Sequence, residues 1–540
     1  MKKIIVTFIL LNLTFSISNA QAPQKLWDSF FNGNLNGKDA ANSIVTDNAG
    51  NVFVTGKSYQ SLSTGNFTTI MYDANGNQQW ADHYAGNQTF AKNEGVKVVI
   101  DNWQNVYAIG TVALHAGDIA IAKYNTNGII WSHNYEPYAF GSDVDFGVDI
   151  AVDSAGNIYA CGQVTSMAGN LWDMYTVKCD SAGNKLLDEN FTSASGDDYP
   201  TGVAVTPGGN FYALTNSYNF FGTATYDIFT INYLSNFNHN WESKYNGAGN
   251  AMDYGTFIKA DNYNNTFVCG TADMGTNDDM VVMKQNQYGT RLWVTTYNGT
   301  ANANDTAIST KWLPNGFVAV TGKCKEIINS IARDAFVTMV IDSGIIVWTK
   351  KFYGSDSLGA IPTQMVTDLQ GNIYICGYEN LIGGTKNGCI IKYDTNGNLL
   401  WNISYDAGAS LDDKFNAIAL DYNNDILVTG QTYTSATNAN YVTVKYGNNI
   451  TGVNENLFPT TYDILAYPNP VKPGGILNVQ PVNPSSKIQF TLFDLSGREI
   501  EKGNLNSGLL TINNKIFPGT YILRVNTNEW NAYKKVLVAE

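Results

Sequence analysis

The sequence predicts an all-β chain, an eight-bladed β-propeller closed by an N-terminal strand and followed by a small, separate β domain. Three observations predict it. A unit of about 53 residues recurs, marked by Trp27, Trp80, Trp131, Leu187, Trp241, Trp293, Trp348 and Trp401 at spacings of 53, 51, 56, 54, 52, 55 and 53 residues. A period in this range marks a solenoid, propeller or array. Each unit is punctuated as four short strands, and the first and last copies are complementary fragments of one unit.

The elements follow in order. In the first full unit, Ser43–Asp47 is a short apolar strand and Ala49-Gly50-Asn51 a tight turn. Val52–Gly56 is a second strand rich in β-branched residues, and Asn66–Tyr72 a third. Asp73-Ala74-Asn75-Gly76-Asn77 is a second tight turn, and Gln78–Tyr84 is the Trp-bearing fourth strand. Asn-Gly and Ala-Gly-Asn between apolar runs are hairpin signals, because the primed turns need φ > 0. The turns return at Asp153–Asn157, Asp368–Asn372 and Asp394–Asn398. Four short strands per unit, repeated around an axis, describe a propeller blade.

The last unit has a first strand (Ala417–Asp421), a second (Ile426–Gly430) and a third (Tyr441–Tyr446), then ends without a Trp strand. The missing strand stands at the other end of the chain, as Lys25–Phe31 around Trp27. An open array would leave two unpaired sheet edges, which invite aggregation. Joining the two fragments removes both edges and gives eight blades. The Leu187 copy is the weakest, and seven is the alternative count.

Units such as Ala151-Val152-Asp153-Ser154-Ala155-Gly156-Asn157-Ile158-Tyr159, with a later Lys392-Tyr393-Asp394, resemble SBBP-type β-propeller repeats over roughly Lys25 to Asn449. The resemblance implies an extracytoplasmic bacterial propeller and, for most members, no established activity. The string Tyr72–Trp80 is also similar to the repeat of eight-bladed quinoproteins, in which Asp…Gly…Trp docks adjacent blades. No cofactor-binding signal accompanies it.

Met1-Lys2-Lys3, the apolar run Ile4–Leu13 and the small residues Ser18-Asn19-Ala20 have the layout of a secretory signal peptide. Residues 1–20 would be removed between Ala20 and Gln21, leaving 21–449 as the propeller. That apolar run is too short to span a membrane, and no later stretch approaches about 20 apolar residues. Residues 450–461 read as a linker and 462–540 as the second domain. Its landmarks are Tyr467-Pro468-Asn469-Pro470, then Leu492–Arg498, then Pro518-Gly519-Thr520-Tyr521, and finally Lys534-Lys535-Val536-Leu537-Val538. This order resembles the type A C-terminal sorting domain of the type IX secretion system of Bacteroidota. The resemblance implies a small Ig-like β-sandwich, handling by that machinery, and delivery of a secreted or outer-membrane-attached protein.

Composition agrees with this placement. With 46 acidic and 32 basic residues, the net charge of −14 disfavours nucleic acid and anionic membrane as partners. Three of the six cysteines, Cys161, Cys269 and Cys376, occupy one repeat position and read as small buried strand residues. Cys376 and Cys389 flank one hairpin and could face each other, bonded or not. The four histidines, His83, His115, His133 and His239, share no ligand spacing. A serine, cysteine or zinc hydrolase site therefore has little to rest on.

Two acidic series recur. Asn66, Asp118, Asp173, Asp227, Asp279, Asp334, Asn387 and Asn440 begin the third strands. Asp39, Asn93, Asp145, Asp198, Asp253, Asp305 and Asp413 precede the first strands, with Ala360 the exception. Both series belong to one face of the disc. Asp39, Asp145, Asp198, Asp227, Asp253 and Asp279 are its candidate metal ligands, and Ca²⁺ the one cofactor such oxygens would suit. The plainer reading makes each side chain a cap of its own loop. A cation would require the two series to meet within one blade, as Asp198 with Asp227 or Asp253 with Asp279. The turns at Asp73 and Asp394 resemble the opening of a Ca²⁺ loop but lack the later Glu, and read as hairpins.

Function must come from what breaks the symmetry. The loop Ser217–Thr225 carries Tyr218, Phe220 and Phe221, which suit sugar stacking or a protein contact. The loop Glu326–Arg333 is apolar and basic. The reading is a secreted or surface binding or adhesion module for an extracellular glycan or protein, with no catalytic residues and no catalysis expected. The alternatives are a propeller enzyme acting on glycans and a structural envelope component.

Overall fold

The computed structural model describes residues 22–60, 65–84, 93–112, 118–135, 145–165, 171–193, 196–219, 225–408, 411–447, 464–481, 488–494, 499–505, 509–526 and 531–539. It divides into two compact units, Met1–Ile450 and Thr451–Glu540. Every regular element among these residues is a strand. Among the described residues, no helix is long and apolar enough to cross a membrane.

The larger unit is an array of antiparallel, propeller-like sheets. Among the described residues it holds eight four-stranded sheets, seven of them built from consecutive strands. The first is Ala40–Thr46, Val52–Ser58, Asn66–Tyr72 and Gln78–Tyr84. The eighth combines Asp413–Leu420, Ile426–Tyr433 and Ala439–Gly447 with the N-terminal strand Gln24–Phe31, in which Trp27 pairs with Lys445.

Burial explains the sequence pattern. Second and third strands are buried on both faces, as in Val52–Ser58 and Asn66–Tyr72, so they read as nearly continuous apolar runs. Fourth strands are largely open to solvent. Eight apolar clusters lie between sheets, each joining one sheet to the next. The eighth cluster joins Ile44, Val54 and Tyr72 of the first sheet to Ala417, Leu427 and Tyr441 of the last.

First strands begin earlier than the sequence pattern indicates: Ala40 rather than Ser43, and Asp413 rather than Ala417. The cause is a β-bulge in every first strand, for example between Ala41 and Ser43 and between Phe415 and Ala417. An extra residue breaks the alternation of two that a pattern search follows. The bulged residue in turn ties neighbouring sheets together. Asn42 Nδ2 donates to Gly95 O at 2.8 Å, Thr363 Oγ1 to Phe415 O at 2.9 Å, and Asn416 Nδ2 to Ala41 O at 2.8 Å.

The Asp-led turns hold themselves. Asp73 Oδ1 accepts the N–H groups of Asn75 and Asn77 at 2.9 Å each, and Asp394 does the same for Asn396 and Asn398. Both side chains therefore serve their own hairpins. The segment Glu326–Arg333 is not a loop. Val318–Ile328 and Ile331–Asp342 remain paired to their tips, joined by Asn329 and Ser330 at φ 49° and 65°, the positive pair a type I′ turn requires.

The smaller unit stacks a three-stranded sheet (Ile464–Tyr467, Ile476–Pro481, Leu509–Thr511) on a four-stranded one built from Ile488–Asp494, Glu499–Leu505, Gly519–Asn526 and Asn531–Val538. Leu477, Val479, Leu492, Leu523, Val525 and Val536 form the core between them.

Candidate functional site

The six candidate acidic residues are all buried, from 0% exposure at Asp39, Asp198, Asp227 and Asp253 to 7% at Asp279. The first-strand series faces backbone amides. Asp253 accepts the N–H of Gly247 at 2.7 Å and of Asp273 at 2.8 Å. Asp39 accepts from Gly33 and Tyr59, Asp305 from Gly299 and Lys325, and Asp198 from Ser193. Asp145 accepts more weakly from Thr165 at 3.3 Å. Each carboxylate thus ties the loop entering its sheet, the second strand of that sheet, or both. Burial pushes Asp198 and Asp253 up to about 6, and holds Asp39 above its ordinary value.

In the third-strand series, Asp227 holds Lys244 Nζ at 2.6 Å and Asp279 accepts Asn277 Nδ2 at 2.6 Å. Within one sheet a strand separates the two series, as Ser217 stands in register between Asp198 and Asp227. The carboxylates that repel one another are Asp173 with Asp198, Asp227 with Asp253, and Asp279 with Asp305, each pair drawn from adjacent sheets. Third strands lie against the first strands of the following sheet, which brings these ends together. Among the described residues, no three His, Cys, Asp or Glu side chains group as metal ligands would.

On this same loop face, the fourth sheet gathers tyrosines. Tyr226 is the hub, with ring centroids 5.3 Å from Tyr218, 5.5 Å from Tyr199 and 6.3 Å from Tyr254. Tyr218 pairs with Tyr226 across the hairpin, so it stands on a strand, not in a loop. Tyr199 lies on the first strand of that sheet and Tyr254 on the first strand of the next. Gly196 passes beneath Tyr218 so closely that a Cβ there would stand 2.4 Å from that residue's own Cβ.

A carboxylate anchors the group. Asp197 Oδ2 accepts the hydroxyls of Tyr199 at 3.2 Å and Tyr226 at 3.3 Å, while its Oδ1 accepts Trp172 N–H from the third sheet at 2.9 Å. Tyr254, 37% exposed, donates its hydroxyl to Met252 Sδ at 3.0 Å. Burial raises the hydroxyl pKa of Tyr226, reinforced by its bond to Tyr199, so the phenol stays neutral. The result is a half-exposed aromatic surface with a carboxylate at its edge.

Of the remaining candidates, Phe220, Phe221, Ala20, Gln21 and His115 lie outside the described residues. Cys376 and Cys389 do not face each other. Cys376 pairs with Ile390 and Cys389 with Gly377, one register step apart, so their thiols lie on opposite faces of the sheet and in different core clusters. All six cysteines are free and buried. His83 bonds Thr68 and stacks on Phe31, a packing role.

Asp197, Tyr199, Tyr226 and Tyr254 escaped the sequence reading, although a signal for them was present. Tyr199, Tyr226 and Tyr254 adjoin Asp198, Asp227 and Asp253, the repeated acidic positions. Other sheets carry Ala40, Thr306 or Lys414 in the same register. The repeated residue holds the scaffold, while its neighbour breaks the symmetry.

Residues 465–539 match the family described as the secretion system C-terminal sorting domain. No curated protein matches the chain. Among solved structures, the chain is similar to PorZ, a surface component of the type IX secretion system of Porphyromonas gingivalis. Identity is 13% and the TM-score 0.40, covering 91% of this chain and 68% of PorZ. It is similar to a PL25 ulvan lyase at 12% identity and TM-score 0.42, over 76% and 94% of the two chains. It is also similar to a Bacteroides caccae protein of unknown function at 15% identity and TM-score 0.32, over 55% and 93%. At these scores the structural likenesses carry no argument about activity. The sorting domain marks the chain for delivery to the cell surface or beyond by the type IX system.

Proposed function

We propose that the chain is a binding module, exported by the type IX system, that holds an extracellular glycan at the tyrosine surface of an eight-bladed propeller. The ring reading is supported by the clusters between consecutive sheets and by the N-terminal strand completing the last sheet. The signal peptide at 1–20 and the SBBP-type character of the repeat belong to the same proposal.

The observation that carries the glycan reading is the grouping of Tyr199, Tyr218, Tyr226 and Tyr254 around Asp197, at one place on an otherwise repeated face. Aromatic rings cover the C–H faces of sugars, and carboxylate oxygens accept their hydroxyls. A rigid, strand-borne surface also costs little entropy to order. The test is a glycan array probed with the secreted chain and with its Tyr254→Ala variant. Selective signals that the variant loses support the assignment. Signals identical in both proteins would remove this surface from consideration.

A further inference from the structure

The bulges of the first strands decide which side chains share one side of the strand. In the second to sixth sheets they fall between Gly95 and Lys97, Gly147 and Asp149, Pro200 and Gly202, Gly255 and Phe257, and Ala307 and Ser309. With a period of two, the residue after each bulge and the one two further on point the same way. This register puts Lys97, Asp149, Gly202, Phe257, Lys259 and Lys311 on equivalent sides of neighbouring strands.

Lys97 and Lys259 line an open cavity of about 350 Å³ formed along the first strands of the first five sheets. The small side chains of Ala151 and Ala204 leave it open. Lys311 Nζ reaches within 5.9 Å of the Phe257 ring, whose other neighbour is Lys259 Nζ at 6.0 Å.

Charge in this region is unbalanced. Asp149 pairs with Lys97 and also accepts the N–H groups of Ile150 and Val203. Lys259 and Lys311 form no ion pair among the described residues. Burial and the neighbouring ammonium groups push Lys311 down to about 7, while the Lys259 side chain is exposed beside it. Lys97, Lys259 and Lys311 repel one another, and Asp149 attracts only the first two, an arrangement that an anion would relieve. The cavity continues past Ile100, Val152 and Val205 toward the turns of Asp101 and Asp153. Those two carboxylates are engaged by their own turns and by Tyr107 and Tyr159.

We propose that this cavity binds a compact oxyanion, a sulfate, phosphate or carboxylate group, at Lys97 and Lys259, with Lys311 adding its charge from beside them. The group could be a free inorganic ion or the acidic end of a sugar, since the chemistry that holds it is the same. This site is separate from the tyrosine surface and stands without it.

Calorimetric titration of the secreted chain at pH 7 tests it, using sodium sulfate, sodium phosphate, glucuronate and a sulfated monosaccharide, with sodium chloride at matched ionic strength as the reference. Saturable one-site binding is expected, weakened at least tenfold in the Lys259→Met/Lys311→Met double variant. That variant should melt no lower than wild type without added anion, because it loses two ammonium groups that repel each other and Lys97. Tighter binding of the sugar derivatives than of the inorganic ions would identify a glycan end as the source, and the reverse a free ion. No saturable heat beyond chloride, or equal affinity in the double variant, would overturn the proposal. Sulfate and phosphate also stabilise proteins by exclusion from their surfaces, so a melting shift that persists in the variant counts against the site.

Discussion

The indole N–H of Trp27 donates to the backbone carbonyl of Ala74 at 3.0 Å. Trp80 bonds Thr126 at 3.1 Å, Trp241 bonds Gln287 at 2.8 Å and Trp348 bonds Thr395 at 3.1 Å in the same way, each reaching the third-to-fourth-strand turn of the following sheet. Trp27 sits on the strand that completes the last sheet, and Ala74 belongs to the first. The bond that joins neighbours along the array therefore also joins its two ends. Gly76 serves this contact twice. Its φ of +84° closes the turn, and a Cβ there would stand 2.5 Å from the Trp27 ring.

Trp27→Ala should therefore lower stability by about 2 kcal/mol, less than the ~3–5 kcal/mol of a fully buried tryptophan because this one is half-exposed. Deleting residues 22–33 should cost several kcal/mol more and leave Ala439–Gly447 as an open edge. Urea unfolding measures both. A deletion variant as stable as the full chain would mean that the two ends do not depend on each other.

The buried acidic series should behave as loop caps. Asp253→Ala strands two backbone N–H groups and should cost about 2 kcal/mol. EDTA and added calcium should both leave the melting temperature where it is. A rise with calcium would show that the carboxylates of adjacent sheets, such as Asp227 and Asp253, converge on an ion, since a ligand of the native state raises stability by mass action.

Stability should pass through a trough between pH 6 and 7. Asp198 and Asp253 titrate near 6 in the folded chain and near 3.8 ordinarily. Between those values the folded state binds more protons, so stability falls as pH rises. Lys311 is pushed down to about 7 from 10.5, so above pH 7 the unfolded chain binds more protons at this group and stability recovers, until the six thiols, all raised by burial, reverse the slope from about pH 9. Calorimetry across pH 4 to 10 would show the trough. Lys311→Met should flatten its alkaline side, and an unchanged alkaline slope in that variant would contradict the assignment of Lys311.

Export should depend on the C-terminal domain. Removing residues 462–540 should leave the larger unit trapped in the periplasm of a host with type IX secretion, while a reporter fused to that segment should leave the cell. Fractionation distinguishes the two compartments. Normal surface delivery of the truncated protein would show that another segment carries the address.

Much of the scaffold was legible because scaffold residues repeat. The tryptophans, the Asp-led turns and the apolar second and third strands recur at a fixed spacing, and the N-terminal fragment supplies the strand that the last unit lacks. The first strands were cut short because their bulges break the period of two. The site was harder to see for a related reason. Tyr199, Tyr226 and Tyr254 are far apart in sequence, each beside a conspicuous aspartate, and only the packing of the fourth sheet on the fifth brings their rings together. Lys97, Lys259 and Lys311 share one side of their strands, which is visible only once the bulges are placed.

Titrating the strongest array glycan into the secreted chain and into Tyr226→Ala and Tyr254→Ala tests glycan binding at the tyrosine surface most directly. Loss of one stacked ring should weaken affinity about tenfold, the equivalent of ~1.4 kcal/mol. Melting temperatures should change little for Tyr254→Ala, whose ring is partly exposed. Tenfold weaker binding in both variants with the fold intact is the expected result, and wild-type affinity in both would contradict it.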